Sequence, residues 1–151
     1  MKSRTRARSV ALQVLYESDL VGHLLEIALD NRLSEEREAK NPLDESLILF
    51  VCDISRGVWR IASKLDTYIA QYAPEWPIDQ VAVIDRNIIR MALWEFAVEG
   101  HTPLKVVINE AVELAKMYGS DSAPRFVNGV LGSLADHTEE ISQSLKKIVN
   151  D

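Results

Sequence analysis

The sequence has one cysteine, few aromatic residues and no long apolar run. Cys52 is alone among 151 residues, so it cannot close an internal disulfide and is predicted to be a small buried apolar residue in a reducing compartment. The longest uncharged apolar runs, such as Leu47 to Cys52, are far shorter than the ~20 residues needed to cross a bilayer. No apolar segment follows the basic residues at the amino terminus, so no export signal is recognised. These absences predict a cytoplasmic protein that does not enter a membrane.

Catalytic side chains in suitable patterns are also lacking. The sequence has no phosphate-binding glycine loop and no paired cysteines, and His23, His101 and His137 stand far apart without metal-ligand spacing. Glu110 and Glu113 lie three residues apart, but a di-iron bundle would also need Glu-x-x-His repeats, which are absent. We therefore predict no metal, no cofactor and no enzymatic activity.

Positive charge is scarce and unevenly placed. Acidic residues outnumber Lys and Arg by 23 to 17, which gives a formal net charge of -6. However, Lys2, Arg4, Arg6 and Arg8 all lie in the first eight residues, before any acid. The stretch 26–45 is rich in acids and repels polyanions. Any nucleic acid is therefore expected to bind locally, at the amino-terminal end.

Apolar residues recur at helical spacing along almost the whole chain, and no alternating strand pattern competes with them. The sequence therefore predicts an all-α fold, a single domain of about seven helices. The first helix is expected to end near Gly22, and a second to cover about 24–34, followed by an acidic connection up to Asn41. Asn41 is expected to cap the next helix at Pro42, which is one long helix or two meeting near Gly57.

Glycine and proline mark the limits of the later helices. A helix beginning near Val81 is predicted to stop at Gly100, and the next runs from Pro103 to Gly119, a natural C′ residue. Pro124 begins the following helix, with a break expected at 136–138. Gly129 and Gly132 lie inside a helix, where each costs roughly 0.5–1 kcal/mol relative to alanine, so close packing of another backbone is predicted there.

Several polar and aromatic side chains are not needed for the core. Tyr16 is predicted to point away from it, which suits stacking with single-stranded RNA near the basic residues, although single exposed tyrosines are common. Ser120, Ser122 and Arg125 surround the start of a helix and could hold a phosphate, the alternative being ordinary capping by Ser122. Lys116 most simply belongs to a solvated face and pairs with a neighbouring acid.

Four segments resemble the successive signatures of the NusB family: RARSVALQVLY (6–16), IDRNIIRMALWEF (84–96), PLKVVINEAVELAKMYG (103–119) and RFVNGVL (125–131). The resemblance implies two small helical bundles that form one RNA-binding domain. It also implies a role in transcription antitermination. The expected partners are single-stranded boxA RNA of ribosomal RNA operon transcripts and the ribosomal protein NusE, with other Nus factors and RNA polymerase engaged indirectly.

The resemblance also suggests which residues act. It implies that the amino terminus and the segment around the last predicted loop converge on RNA, through Arg4, Arg6, Arg8, Tyr16, Lys116, Tyr118, Arg125, Phe126 and Asn128. Tyr16 and Asp85 are expected to contact NusE, with Asp85 at a flank of its helix.

Two other functions stay open. A similar helical domain precedes certain RNA cytosine methyltransferases, but no methyl-donor-binding βαβ pattern is present in the 151 residues. The other alternative is a structural adaptor whose basic end is incidental.

Overall fold

A computed structural model describes residues 2–75, 77 and 80–150. Over these residues the chain forms α helices and one π-helical turn and has no β-strand, which confirms the predicted all-α fold. The helices are α1 (Ser3–Val21), α2 (Leu25–Glu38), α3 (Glu45–Arg60), α4 (Ala62–Tyr72), α5 (Val83–Trp94), α6 (Leu104–Tyr118), α7 (Ala123–Ala135) and α8 (Thr138–Asn150). None of the helices in these ranges is both long and apolar enough to span a membrane.

The chain divides into two compact units, one up to Arg60 and one from Ile61 onward, here called the amino-terminal and carboxy-terminal units. The first contains α1 to α3 and the second α4 to α8. The helix break that the sequence predicts near Gly57 lies instead at Ile61, whose φ of -121° and ψ of 24° leave the helical region. Gly57 stays inside α3, because a single glycine weakens a helix without ending it. The prediction of one functional domain stays a prediction.

The amino-terminal unit has a core of aliphatic side chains from its three helices. In α1, Ala7, Ala11 and Leu15 are buried at helical spacing, and α1 packs against both α2 and α3. Each fully buried leucine contributes roughly 1.5–3 kcal/mol relative to an exposed one. Cys52 is half-buried and carries a free thiol, so the prediction of a buried cysteine is only partly right. Gly22 ends α1 in the left-handed region, with φ of 83°, as predicted.

The start of α3 differs from the predicted one. Asp44, not Asn41, caps this helix: Asp44 Oδ1 accepts hydrogen bonds from the Leu47 N–H at 3.0 Å and from the Ser46 hydroxyl at 2.6 Å. These bonds lower the pKa of Asp44, that from Ser46 being the larger cause. The acidic connection predicted before Asn41 is shorter than expected because α2 continues to Glu38.

In the carboxy-terminal unit, α5 is the most buried helix and packs against α4, α6 and α7. Arg90 of this helix is 6% exposed, and its guanidinium group forms two hydrogen bonds with Asp66 of α4, at 2.6 and 2.8 Å. Arg90 Nη1 also donates to Asn87 Oδ1 at 3.1 Å. A buried charge needs such partners, so this cluster fixes α4 against α5.

Gly100 ends the α5 segment, as the sequence predicts, but through a π-helical turn, Glu95–Glu99, that the sequence pattern does not reveal. The Gly100 N–H donates to the Glu95 carbonyl five residues earlier, at 2.8 Å, and Gly100 has a φ of 75°. α8 packs against this turn. The break predicted at 136–138 is present between α7 and α8.

Gly119 connects α6 to α7 in an extended conformation, with φ of -91° and ψ of 179°, not in the left-handed one expected of a C′ glycine. A Cβ atom here would lie 2.5 Å from the Ala123 Cβ and 3.0 Å from Asp85 Oδ1, so the turn needs glycine because α5 and α7 approach closely. Gly132 shows the opposite: nothing lies within 4 Å of a Cβ built there. The close packing predicted for Gly132 is therefore wrong.

Candidate functional site

Three arginines at the start of α1 differ in exposure. Arg4 is exposed, Arg6 is half-buried and Arg8 is only 3% exposed. The sequence predicts all three as direct RNA contacts, but the burial of Arg8 leaves its side chain almost no surface open to a ligand. Arg8 is buried because it lies on the side of α1 that packs on α3.

Residues of the neighbouring helices hold these arginines. Arg6 Nη2 and Nε donate to Glu36 Oε2 in α2, at 2.6 and 3.2 Å. On the side facing α3, the Cζ atoms of Arg4 and Arg8 lie 4.7 and 5.2 Å from the centre of the Phe50 ring. Both distances suit cation–π interaction. The basic end of α1 is therefore ordered by one carboxylate and one aromatic ring.

Tyr16 lies further along α1 and is half-buried, so part of its surface is open to solvent. On the same helix, Glu17 accepts hydrogen bonds from His23 at 2.9 Å and from Arg32 at 3.5 Å. These contacts, that from His23 being the larger cause, lower the pKa of Glu17. Arg32 Nη1 also donates to Gln13 Oε1 at 2.9 Å. The middle of α1 is thus fixed to α2 beside Tyr16.

The carboxy-terminal unit contains a cavity of about 630 Å³ between the segment before α5 and the start of α7. Its lining is mostly apolar, with Asp85 from α5 and Ser122, Arg125 and Phe126 from α7 among the residues that line it. Volumes of this size are typical of sites that take a small molecule or an inserted side chain. Three residues that the sequence predicts as functional, Asp85, Arg125 and Phe126, are thus brought together.

Asp85 is buried rather than at a flank of its helix, with 8% of its surface exposed. Its Oδ1 has no hydrogen-bond partner among the residues that the structure describes, and it lies against the Gly119 turn. Burial raises the pKa of Asp85, because the ionised carboxylate is deprived of water. A buried carboxylate oxygen without a hydrogen bond is costly, and such costs are typical of functional positions.

The other predicted residues of this unit lie on the surface. Tyr118 is 38% exposed, and Lys116 and Asn128 are exposed too. Lys116 Nζ donates to Glu113 Oε1 at 3.1 Å, which is the pairing the sequence suggests for a solvated face. Ser122 makes no side-chain hydrogen bond to the start of α7, so the capping role considered for it is wrong. Its hydroxyl lies 3.4 Å from that of Ser120.

Two contributing residues were not identified from the sequence. In the sequence, Glu36 belongs to the acidic stretch 26–45 and Phe50 to the apolar run Leu47 to Cys52. In the structure, both contact arginines that are distant along the chain, 30 residues away in the case of Arg6 and Glu36. Helical periodicity gives the face of one helix but not which neighbouring helix it meets, so no sequence signal pointed to these pairs.

The fold and these two groups of residues define a small all-helical binding protein, with no cluster suited to a metal ion in the described part of the chain. The sequence profile of the NusB family matches residues 5–136. A transcription antitermination protein NusB of Dehalococcoides mccartyi (strain CBDB1) is 44% identical over 133 residues, covering 88% of this chain and 90% of the relative. That of Roseiflexus sp. (strain RS-1) is 45% identical over 139 residues, covering 91% and 94%. The chain belongs to the NusB family.

Solved structures agree with this assignment. NusB from T. maritima has a TM-score of 0.75 and 29% identity, covering 93% of this chain and 90% of that one. A crystal structure of the antitermination factors NusB and NusE in complex with double-stranded RNA has a TM-score of 0.76 at 24% identity, covering 95% and 98%. The latter similarity concerns the fold.

Proposed function

We propose that this chain, a transcription antitermination factor of the NusB family, binds boxA-type single-stranded RNA of ribosomal RNA operon transcripts together with NusE. The observation that carries the proposal is the basic end of α1, where arginines are concentrated in a chain whose net charge is -6. Other Nus factors and RNA polymerase are engaged indirectly, through NusE and the RNA, in the cytoplasm.

In the amino-terminal unit, Arg4 contacts a phosphate, Arg6 adds positive charge beside it while paired with Glu36, and Tyr16 stacks on a base. Single-stranded RNA exposes both its phosphates and the faces of its bases, so it suits a surface that offers cations and an accessible ring. Arg8 does not contact the RNA itself, because its side chain is buried and lies over Phe50 of α3.

In the carboxy-terminal unit, the RNA contacts are assigned to α6 and α7. Lys116 and Arg125 provide charge, Tyr118 and Phe126 provide rings, and Asn128 provides an amide that can read a base edge. All five are exposed or half-buried. The start of α7, with Ser120, Ser122 and Arg125, is the proposed position of one phosphate.

NusE is proposed to contact Tyr16 and Asp85. Asp85 lines the cavity, and only 8% of its surface is exposed. NusE therefore reaches it only by placing a side chain in the cavity. A side chain with an N–H donor satisfies the carboxylate and covers the apolar walls at the same time. This would explain why a costly buried carboxylate is tolerated.

Titration of fluorescently labelled boxA RNA tests the proposal, with the protein alone and premixed with NusE. We expect binding that is tighter in the presence of NusE and weaker for a scrambled RNA of the same length. Asp85→Asn, which keeps the volume of the buried side chain, should reduce the gain from NusE while leaving RNA binding of the isolated protein near that of the parent, with Asp53→Asn on the exposed surface of α3 as control. Equal binding of boxA and scrambled RNA would contradict the proposal, and NusE binding without any RNA binding would indicate a structural adaptor.

A further inference from the structure

The exposed cation of Arg4 is held by an aromatic ring. Arg4 and Arg8 are one helical turn apart, so both guanidinium groups reach Phe50 of α3, with Cζ atoms 4.7 and 5.2 Å from the ring centre. Phe50 is half-buried, whereas Arg4 is exposed. The ring therefore restricts where the Arg4 side chain can go without removing it from solvent.

A cation–π contact does not neutralise the charge of the guanidinium group, because an aromatic ring carries no net charge. A guanidinium group has five N–H donors, and those that do not point at the ring stay available. Arg4 can thus lie over Phe50 and still donate to a phosphate. An arginine fixed in this way loses less conformational entropy when RNA binds than one that moves freely in water.

Arg6 is held by the opposite chemistry. Glu36 Oε2 accepts hydrogen bonds from both Nη2 and Nε of Arg6, at 2.6 and 3.2 Å, and its negative charge occupies the place a phosphate would take. A phosphate that contacts Arg6 must displace Glu36 or share the guanidinium group with it. The carboxylate also repels an approaching polyanion.

We infer that Phe50 is a positioning residue that presents Arg4 to an RNA phosphate, whereas Glu36 holds Arg6 back from the RNA. The inference rests on the proposed RNA-binding function and assigns to it two residues of α2 and α3. Its distinctive consequence is that the two contacts act on affinity in opposite directions. Loss of the ring weakens RNA binding, and loss of the carboxylate strengthens it.

The role of Phe50 is tested by a double-mutant cycle with Arg4, measured as the affinity for boxA RNA over a range of salt concentrations. Phe50→Leu should weaken binding about 2- to 10-fold, the factor that corresponds to ordering one long side chain. Phe50→Tyr keeps the ring and should bind like the parent. Once Arg4→Ala is present, Phe50→Leu should have no further effect, because the ring acts through Arg4.

Additive effects of Phe50→Leu and Arg4→Ala would overturn this role, and so would parent-like affinity of Phe50→Leu when Arg4→Ala weakens binding. Melting temperatures separate a loss of contact from a loss of fold. If Phe50→Leu does not fold, Phe50→Met offers a second side chain without a ring in the same cycle. Arg37→Ala, which removes an exposed arginine of α2, controls for the change in charge.

The role of Glu36 is tested by Glu36→Gln against Glu38→Gln, an exposed acid two residues further along α2. Both variants remove one negative charge, but only the first removes the charged acceptor that holds Arg6. Glu36→Gln should bind RNA more tightly and with a steeper salt dependence, by up to about 0.7 in the logarithmic slope for one added phosphate contact. Equal effects of the two variants, or weaker binding by Glu36→Gln, would overturn this role.

Failure of the inference is distinguishable from failure of the proposed function. If the parent binds boxA RNA and the variants of Phe50 and Glu36 behave as their controls, the proposed RNA binding is confirmed and the roles of Phe50 and Glu36 are refuted. If the parent binds no RNA with or without NusE, the proposed function itself falls.

Discussion

Gly119 and Gly132 provide a matched pair of substitutions with opposite expected effects on stability. A Cβ at Gly119 would lie 2.5 Å from the Ala123 Cβ, 2.9 Å from the Ala115 carbonyl oxygen and 3.0 Å from Asp85 Oδ1. Two of these three atoms belong to short groups that cannot rotate away: a backbone carbonyl and an alanine methyl. Gly119→Ala must therefore move α7 or the turn itself. At Gly132, inside α7, the same added methyl meets nothing within 4 Å.

The magnitudes follow from these distances. Overpacking of this kind typically costs about 1–3 kcal/mol. Gly132→Ala should instead stabilise the protein by roughly 0.5–1 kcal/mol, because alanine has less freedom to lose when a helix forms. For a chain of this size, 1 kcal/mol shifts the melting temperature by roughly 2–4 °C. Gly119→Ala should thus melt about 2–12 °C below the parent and Gly132→Ala about 1–4 °C above it.

Thermal unfolding followed by circular dichroism at 222 nm measures both shifts under one set of conditions. The sign of each shift matters more than its size. The reasoning is refuted if Gly119→Ala melts at or above the temperature of the parent, since the turn would then have room for a side chain. A lower melting temperature for Gly132→Ala would show that this face of α7 is covered after all.

Two further predictions concern the candidate site. Burial raises the pKa of Asp85, so the folded state holds this proton more tightly than the unfolded chain, and ionisation at neutral pH costs stability. Asp85→Asn should therefore raise the melting temperature at pH 7. The gain should vanish below about pH 4, where aspartate is protonated in the unfolded chain too. A gain in melting temperature that does not depend on pH would contradict this. Tyr16→Ala should weaken boxA binding by about 1–3 kcal/mol, as expected for loss of one stacked base, and more than Lys116→Ala, which loses one screened phosphate contact. The reverse order, measured on folded variants, would remove Tyr16 from the RNA site.

The limits of most helices could be predicted because they depend on local chemistry. Gly22 and Gly100 end helices with positive φ, and Pro103 and Pro124 stand at helix starts, as the sequence suggests. The cap of α3 was misplaced because Asn41 before Pro42 and Asp44 offer similar local signals. The buried Leu43 lies between them, and only tertiary packing decides which of the two is used.

The candidate site was less predictable because it depends on contacts between helices. The sequence places arginines on α1 but cannot show that Arg8 packs inward or that Arg6 meets Glu36. Similarly, the apolar neighbours of Asp85 gave no sign that it is buried against the Gly119 turn. In both cases the contacting residue lies at least 30 positions away along the chain: Glu36 contacts Arg6, and Gly119 lies against Asp85.

The most direct test of the central claim is a titration of the ¹⁵N-labelled protein with boxA RNA, followed by the chemical shifts of the backbone amides. Binding through the proposed residues predicts that the largest changes fall in two regions: the start of α1, around Arg4 and Arg6, and the stretch from Lys116 to Asn128. The amides of the acidic α2 surface should change little, apart from those beside Glu36. Changes confined to α8, or spread evenly over the chain without a maximum in either predicted region, would contradict the account.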